Sequence, residues 1–577
     1  MRRNTDKDQR MIDRFHHRGW HYVLLLGFSG LMFFLNLGGA SLWDLDEGRN
    51  FTCAYEMLIS GNWIVPTFNG ELRAHKPVLN YWLQVISFLI FGVNEFAGRF
   101  PSALAALGTV LLAYELGRSM FTRTSGLLAG VIVATMPMVC GAGRFANPDA
   151  LFNFFTVLTF AVFWFGLEDR RWWWFVCLGG TMGLAVLAKG PVGVVLPAGV
   201  IGLFIFWERR WAVLFDWRWC YAYGSFALTA LPWYVLVSLE THGEFVREFI
   251  FKHNLDRGLV PMENHRGFPG YYLVILIVGT APWSIFLGFA WWFGFWSAIR
   301  NPWAKLQGWW SGAAEVPAFE SATDVTAAYR LLACWIAIYV LFFSVAATKL
   351  PNYVLPVVAP CGLLIARFLQ RWRNQSVRVP SWLGMACVVS LLVIGVVLGV
   401  ALVVVGGVGE LSVMRGRFVY GLENWAILGL VPILAAAACW QFARARQPSR
   451  LIAAVAVTAL LLFAPLAAFA SALFNHYKAP SVLVGQTDVL RLDEEIRIGC
   501  FQMEHLPSLN FYVKRNVEHL HDHNSLRSFL QSRLPVYVFI PLRDWQGLEN
   551  AMGLSPRIIG QQYDMYHHTE IVVLTNR

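Results

Sequence analysis

The chain has 577 residues, of which 57% are hydrophobic and only 14% charged, with a mean hydropathy of +0.50 and a formal net charge of +10. That composition excludes a soluble globular protein, because its apolar runs reach the roughly 20 residues a helix needs to cross a hydrocarbon core of about 30 Å. Nor does the basic excess indicate a nucleic-acid partner, since it sits in short turns beside apolar runs and not on one soluble surface.

Reading apolar runs against their breakers in chain order predicts about 13 spans, near 21–38, 101–117, 124–140, 150–167, 173–188, 190–206, 221–239, 272–297, 330–347, 353–369, 382–406, 422–442 and 452–473. Alternate connections carry the cations. Arg2, Arg3, Lys7, Arg10, Arg14 and Arg18 precede the first span; Arg118 and Arg123, Arg170 and Arg171, then Arg209, Arg210 and Arg218 follow on the same face. Arg300 and Lys305, then Arg371, Arg373 and Arg378, and finally Arg444, Arg446 and Arg450 complete it. By the positive-inside rule this face is cytoplasmic, and an odd number of spans places the C-terminus outside. The expectation is a multi-pass protein of the plasma (inner) membrane. The first span is read as retained and not as a signal peptide, because the basic segment before it orients the rest. Many of the 26 Trp lie near span ends, as at Trp172 to Trp174, and suit an interfacial belt. The nine Cys form no metal-type spacing and mostly fall in apolar runs.

The outer connections hold the unusual polar residues. In the first, about residues 39 to 100, Trp43-Asp44-Leu45-Asp46-Glu47-Gly48-Arg49 is followed by Arg73-Ala74-His75-Lys76-Pro77 and Tyr81-Trp82. Between them 50–59 reads as an amphipathic helix lying in the interface, with Met57 and Leu58 toward lipid. Acids contribute little to orientation, so Asp44, Asp46 and Glu47 need another reason. A carboxylate suits a general base for a hydroxyl, and it equally suits a helix N-cap. Gly143 to Asp149 places Asp149 as a cap for the next span. Lys189 stands alone between two apolar runs on the outer face. The fourth outer loop, roughly 240 to 271, carries Arg247, Lys252, His253 and Arg257 interleaved with Phe245, Phe249, Ile250 and Phe251, a second interfacial helix. Lys349-Leu350-Pro351-Asn352-Tyr353 precedes the tenth span. Cations on five outer connections run against the topological rule, so an anionic ligand is expected, with phosphate at the headgroup level as its natural form.

After residue 475 the composition changes. Short β-rich runs at 496–501, 535–539, 558–563 and 570–574 alternate with helix-compatible stretches at 508–514 and 525–532, which predicts a small extracytoplasmic α/β domain over 476–577, structural or docking in role, behind a membrane domain over 1–475.

Asp46-Glu47, His75-Lys76-Pro77 with Tyr81-Trp82, Arg144 to Asp149, Ala188-Lys189-Gly190-Pro191 and Lys349-Leu350-Pro351-Asn352-Tyr353-Val354-Leu355-Pro356 occur in that order. Together they resemble the lipid A aminoarabinose transferases and their relatives in the protein O-mannosyltransferase superfamily. The resemblance implies the C-type glycosyltransferase fold and transfer of a sugar from a polyprenyl phosphate carrier to an extracytoplasmic glycolipid, glycan or protein, with membrane lipid as the surroundings, no nucleic acid and no required cofactor. Carried over by position, it implies Asp46 as the catalytic carboxylate with Glu47 beside it, Asp149 as a second acid near the sugar, and Lys76, Tyr353 and Arg257 around the carrier phosphate. Lys189, Lys349, His253 and His75 join the substrate-binding candidates. Where the aminoarabinose enzymes have Glu before the Lys, this chain has His75, which leaves the donor sugar open. His75 and His253 also form a candidate divalent-metal pair, although two His without a third ligand are more often hydrogen-bonded structural groups. The competing class is a polyprenyl-lipid flippase or transporter, which would concentrate polar residues at the bilayer midplane instead of one face.

Overall fold

The structure is a computed structural model that describes residues 19–44, 46–169, 171–256, 267–311, 323–377, 379–409, 417–491, 495–503, 506–553 and 555–577. Arg257, the basic residues from Arg2 to Arg18, Arg170 and Arg378 lie outside the described residues. Among the described residues nine helices are long and apolar enough to cross a membrane, or up to eleven if two bent pairs each form one span. Shorter apolar helices occupy Gly19–Phe34 and Val192–Glu208, so every expected span falls on a helix or a bent pair.

The two bent pairs correct the expectation of continuous spans. Arg123–Ala134 and Pro137–Gly143 meet at 63°, and Tyr271–Gly279 and Trp283–Ile299 at 119°. Pro137 and Pro282 sit in or beside the breaks, where a residue without an N–H cannot continue the helical ladder. Trp283 lies fully buried between the two pairs and donates its indole N–H to the Thr135 hydroxyl at 2.9 Å, so the breaks are fastened to each other. Elsewhere the helices approach closely through small residues: a Cβ on Gly117 would come within 2.9 Å of the Gly126 Cα, which lets Glu95–Met120 pack against Arg123–Ala134 backbone to backbone.

The first outer loop folds as the helix Asp46–Ser60, a hairpin of β1 (Thr67–Phe68) and β2 (Glu71–Leu72), and the helix Leu79–Phe91. Asn69 and Gly70 turn the hairpin at φ 57° and 79°, as an Asn-Gly pair favours. The Glu56 carboxylate accepts hydrogen bonds from Thr67 Oγ1, Asn69 N and Gly70 N, pinning that turn to the helix. The helix itself is not interfacial in the sense expected. Met57 is buried inside the protein, and Gly48 faces the helix Pro507–Val513 so closely that a Cβ would lie 2.5 Å from Ser508 N. In the fourth outer loop Phe245 and Phe249 are likewise buried, against Trp233 and Tyr234, while Phe251 is exposed.

Beyond Tyr477 the chain forms a five-stranded sheet of β3 (Arg497–Phe501), β4 (Val517–Leu520), β5 (Val536–Pro541), β6 (Arg557–Asp564) and β7 (Thr569–Thr575), ordered β4-β3-β5-β7-β6. β3 pairs parallel with β4 and β5, and β7 antiparallel with β5 and β6. Alternation along β5 sends Tyr537 and Phe539 to a core with Leu509 and Leu483, and Val538 and Ile540 to another with Phe529 and Trp545. β4 and the helix Leu542–Met552 are elements the sequence reading left out. The domain docks on the first outer loop: Tyr512 accepts from Leu42 N at 2.8 Å and donates to Glu95, and Asn69 exchanges hydrogen bonds with the Val517 backbone and accepts one from Asn510.

Overpacking this seam is expected to cost about 1–3 kcal/mol. Gly48→Ala should therefore lower the thermal midpoint of the detergent-purified protein and loosen the domain to limited proteolysis, while Gly547→Ala, where an added Cβ meets nothing within 4 Å, should not.

Candidate functional site

The three acids of the first outer loop have three different environments. Glu47 is fully buried and faces Arg99, which donates Nε to Oε1 at 2.8 Å and Nη2 to Oε2 at 2.6 Å. Its carboxylate also accepts from Trp43 N at 2.9 Å and Ala146 N at 3.0 Å. Burial would raise its pKa, but the Arg99 guanidinium and these hydrogen bonds outweigh it and hold Glu47 below the usual range. With every lone pair committed, Glu47 anchors the loop and has no capacity left to take a substrate proton, unlike the role expected for it. Asp44 is buried against the C-terminal domain, accepting from Ser508 N and Ser508 Oγ, both at 2.7 Å. Burial pushes its carboxyl up to about 7 against those hydrogen bonds. Asp46, between them, opens the Asp46–Ser60 helix, is half-buried, and among the described residues receives no hydrogen bond or ion pair. It is the acid left available for chemistry.

A second cluster forms where helix ends meet. Asp149 opens Pro148–Asp169, Lys189 closes Trp172–Lys189, and Asn352 and Tyr353 start the helical segment Pro351–Val357, so these residues lie at one end of the bundle. Lys189 pairs with one oxygen of Asp149, and Asn352 donates to the other. Asp149 is thus the partner of a cation and not a helix cap. The Lys189 ammonium also stands 5.2 Å from the Tyr353 ring centre and 5.5 Å from that of Phe152. Lys76 acts electrostatically on the same carboxylate. Residues from three other stretches of the chain therefore surround Asp149. Of these, Asn352 was quoted in a motif without a role. Its signal was a lone amide between Pro351 and Tyr353.

His75 and His253 bring the fourth outer loop to the first, their ring centres 4.1 Å apart and their planes tilted by 33°. Partial burial, Arg73, His253, Arg49 and Lys76 together push the His75 imidazole well below its ordinary value, even though its outer edge meets solvent. Among the described residues no third His, Cys, Asp or Glu joins the pair into a group that could hold a metal ion. A pair of imidazoles, one of them surrounded by Arg73, Arg49 and Lys76, does not fit a divalent ion. Lys349 donates to Ser344 O at 2.6 Å and Ala346 O at 2.9 Å, capping the end of Thr323–Val345. Arg144 similarly caps the end of the first span through Leu35 O at 2.9 Å. Arg99 escaped the sequence reading, although an Arg inside an otherwise apolar helix was itself a signal.

A family model described as dolichyl-phosphate-mannose-protein mannosyltransferase matches residues 75–235, which contain Lys76, Asp149 and Lys189. Over 482 residues the chain is 29% identical to an undecaprenyl phosphate-alpha-4-amino-4-deoxy-L-arabinose arabinosyl transferase of Pseudomonas aeruginosa (strain UCBPP-PA14), covering 80% of this chain and 78% of the relative. The same identity holds over 438 residues to the protein of that name from Enterobacter sp. (strain 638), covering 73% of each. Its fold is similar to that of ArnT from Cupriavidus metallidurans solved bound to undecaprenyl phosphate, with a TM-score of 0.79 at 21% identity over 97% of this chain and 98% of that one. The resemblance read from the motifs thus extends over most of the chain, to the aminoarabinose transferase-like glycosyltransferases of the O-mannosyltransferase superfamily and their C-type glycosyltransferase fold.

The division of labour among the acids has a measurable form. Glu47→Gln leaves Arg99 buried without its counter-ion and should cost about 3–5 kcal/mol of stability, seen as a large drop in thermal midpoint. Asp46→Asn should change stability by no more than about 0.5 kcal/mol, as substitutions outside buried networks do, and so barely move that midpoint.

Proposed function

We propose that this chain is an integral membrane glycosyltransferase that moves a pentosyl or hexosyl unit from a polyprenyl phosphate carrier, of the undecaprenyl type, to an acceptor at the outer face of the inner membrane, with a lipid A-like glycolipid first among acceptors. The observation that carries the reading is the convergence of Asp149, Lys189, Asn352, Tyr353 and Lys76 at one end of the bundle, with the uncommitted Asp46 next in the chain to Glu47, whose carboxylate holds Ala146 N in the segment before Asp149. What the relatives' names say they transfer supports it. A transporter reading gains nothing from this arrangement, because the polar groups crowd helix ends and not the midplane.

The chemistry follows from the charges. Asp46 accepts the proton of the acceptor hydroxyl as that oxygen attacks the anomeric carbon, whose bond to the carrier phosphate breaks. Lys76 and the Tyr353 hydroxyl, with Arg257 assigned by the motif resemblance, stabilise the charge collecting on the departing polyprenyl phosphate. A phosphate held by cations leaves without a general acid. Asp149 holds Lys189 over the Tyr353 ring and so sets the positions of both.

Asp46→Asn should abolish transfer in a folded protein, since the amide keeps the shape but cannot take a proton, whereas Asp44→Asn should reduce it much less. Direct binding of undecaprenyl phosphate should weaken about tenfold or more in Lys76→Ala and in Tyr353→Phe, the loss expected for one charge-assisted hydrogen bond of 1.5–3 kcal/mol. Unchanged affinity in both variants would remove the shared phosphate site. The outward orientation is tested by single cysteines at positions 5 and 525, which should label from opposite sides of the membrane; labelling from one side would overturn it.

A further inference from the structure

Charges around Asp46 do not balance at Arg73. This residue follows β2, is 5% exposed, and has the Phe68 ring centre 6.0 Å from its guanidinium carbon. Nε donates to the Tyr81 hydroxyl at 3.3 Å, and Tyr81 is itself fully buried. Among the described residues no carboxylate comes within ion-pair distance of the guanidinium, and no acceptor takes a hydrogen bond from its Nη atoms. Asp46 acts on it electrostatically without closing to an ion pair. A buried cation is ordinarily paired, as Arg99 is with Glu47 in the same loop, because an unmatched one carries its full desolvation cost. Cys53, the other neighbour, is a buried thiol and supplies no charge.

With Nε held by Tyr81, the two Nη groups remain as a planar fork, the geometry that suits a carboxylate or a phosphate. Lys76, like Arg73, acts on His75, and it is also among the groups that act on Asp149. Two cationic points therefore act around His75: Lys76, which also acts on Asp149, and Arg73, on which Asp46 acts.

We propose that Arg73 binds an anionic oxygen group, carboxylate or phosphate, which one of the two substrates carries next to the reacting centre and which is separate from the carrier phosphate. The inference rests on the transferase reading above. The group comes either from an acidic donor sugar or from a phosphate on the acceptor glycolipid, and both present the same chemistry to the fork.

The test uses full-length protein in nanodiscs, with Arg73→Gln and Arg73→Lys. Binding is measured for bare undecaprenyl phosphate, for undecaprenyl phosphate bearing glucose or glucuronic acid, and for lipid A with and without its phosphates. Bare and glucosyl carriers should bind every variant as they bind the parent. Arg73→Gln should lose roughly tenfold to a hundredfold toward the glucuronosyl carrier, which assigns the anion to the donor, or toward phosphorylated lipid A alone, which assigns it to the acceptor; Arg73→Lys should recover part of either loss. Equal loss toward the bare carrier, or no loss toward any ligand, overturns the proposal. If Arg73→Gln does not fold, the smaller but equally selective loss in Arg73→Lys is read in its place, and its absence overturns the proposal. A parent protein that fails to bind bare undecaprenyl phosphate sinks the transferase reading instead, and lipid A binding then judges Arg73 alone.

Discussion

The ion pair between Glu47 and Arg99 stands where the first span, the first outer loop and the segment before Asp149 meet. Arg99 spends its remaining donors on the carbonyls of Leu37, Ala40 and Ser41, and Glu47 spends its remaining lone pairs on the amides of Trp43 and Ala146. Two charges without solvent are expensive to bury, and the pair is tolerable only because each donor and acceptor is matched. That matching is also what makes it specific: a shift of the loop along the membrane end would leave several buried groups unpaired at once. The position of Asp46, one residue earlier, is inherited from this constraint.

From the anchored loop the rest of the site is built by helix ends. An ammonium at the close of one span and a carboxylate at the start of the preceding one meet because the two helices run antiparallel, and the amide of Asn352 fixes the second oxygen. The cations on this face consequently have different employments. Lys189 is paired, Lys349 and Arg144 cap helix ends, and Lys76 acts on Asp149. For a positive charge at such a connection, a helix terminus with free carbonyls is as good a reason as a ligand.

The C-terminal domain contributes to the same structure from above. Asp44 is held by Ser508, Leu42 by Tyr512, and Lys478 is buried with its ammonium on Ser41 O at 2.9 Å and 3.4 Å from the Trp43 ring centre. Its burial, with Arg99 nearby, drives the Lys478 ammonium down to about 7. The segment Trp43 to Arg49 is thereby gripped on both sides, by Arg99 from the membrane domain and by the sheet domain through Asp44, which keeps the intervening Asp46 in one place.

Spans, sidedness signals and the order of the motifs were legible in the sequence, because the hydrocarbon core imposes a length, lipid imposes apolarity and orientation imposes a charge bias, all of which are local properties of the chain. So were most strands of the last domain, through their alternation and turns. Tertiary structure decided which acid is left uncommitted. Asp44, Asp46 and Glu47 are chemically near-equivalent in sequence, and only contacts with Ser508, more than 450 positions away, and with Arg99 remove two of them from the site. It likewise decided that the amphipathic helix after Asp46 faces protein and not lipid, since an apolar stripe has the same sequence pattern in either surroundings. And it exposed Arg73, whose residue type was visible but whose missing partner is a property of the folded neighbourhood.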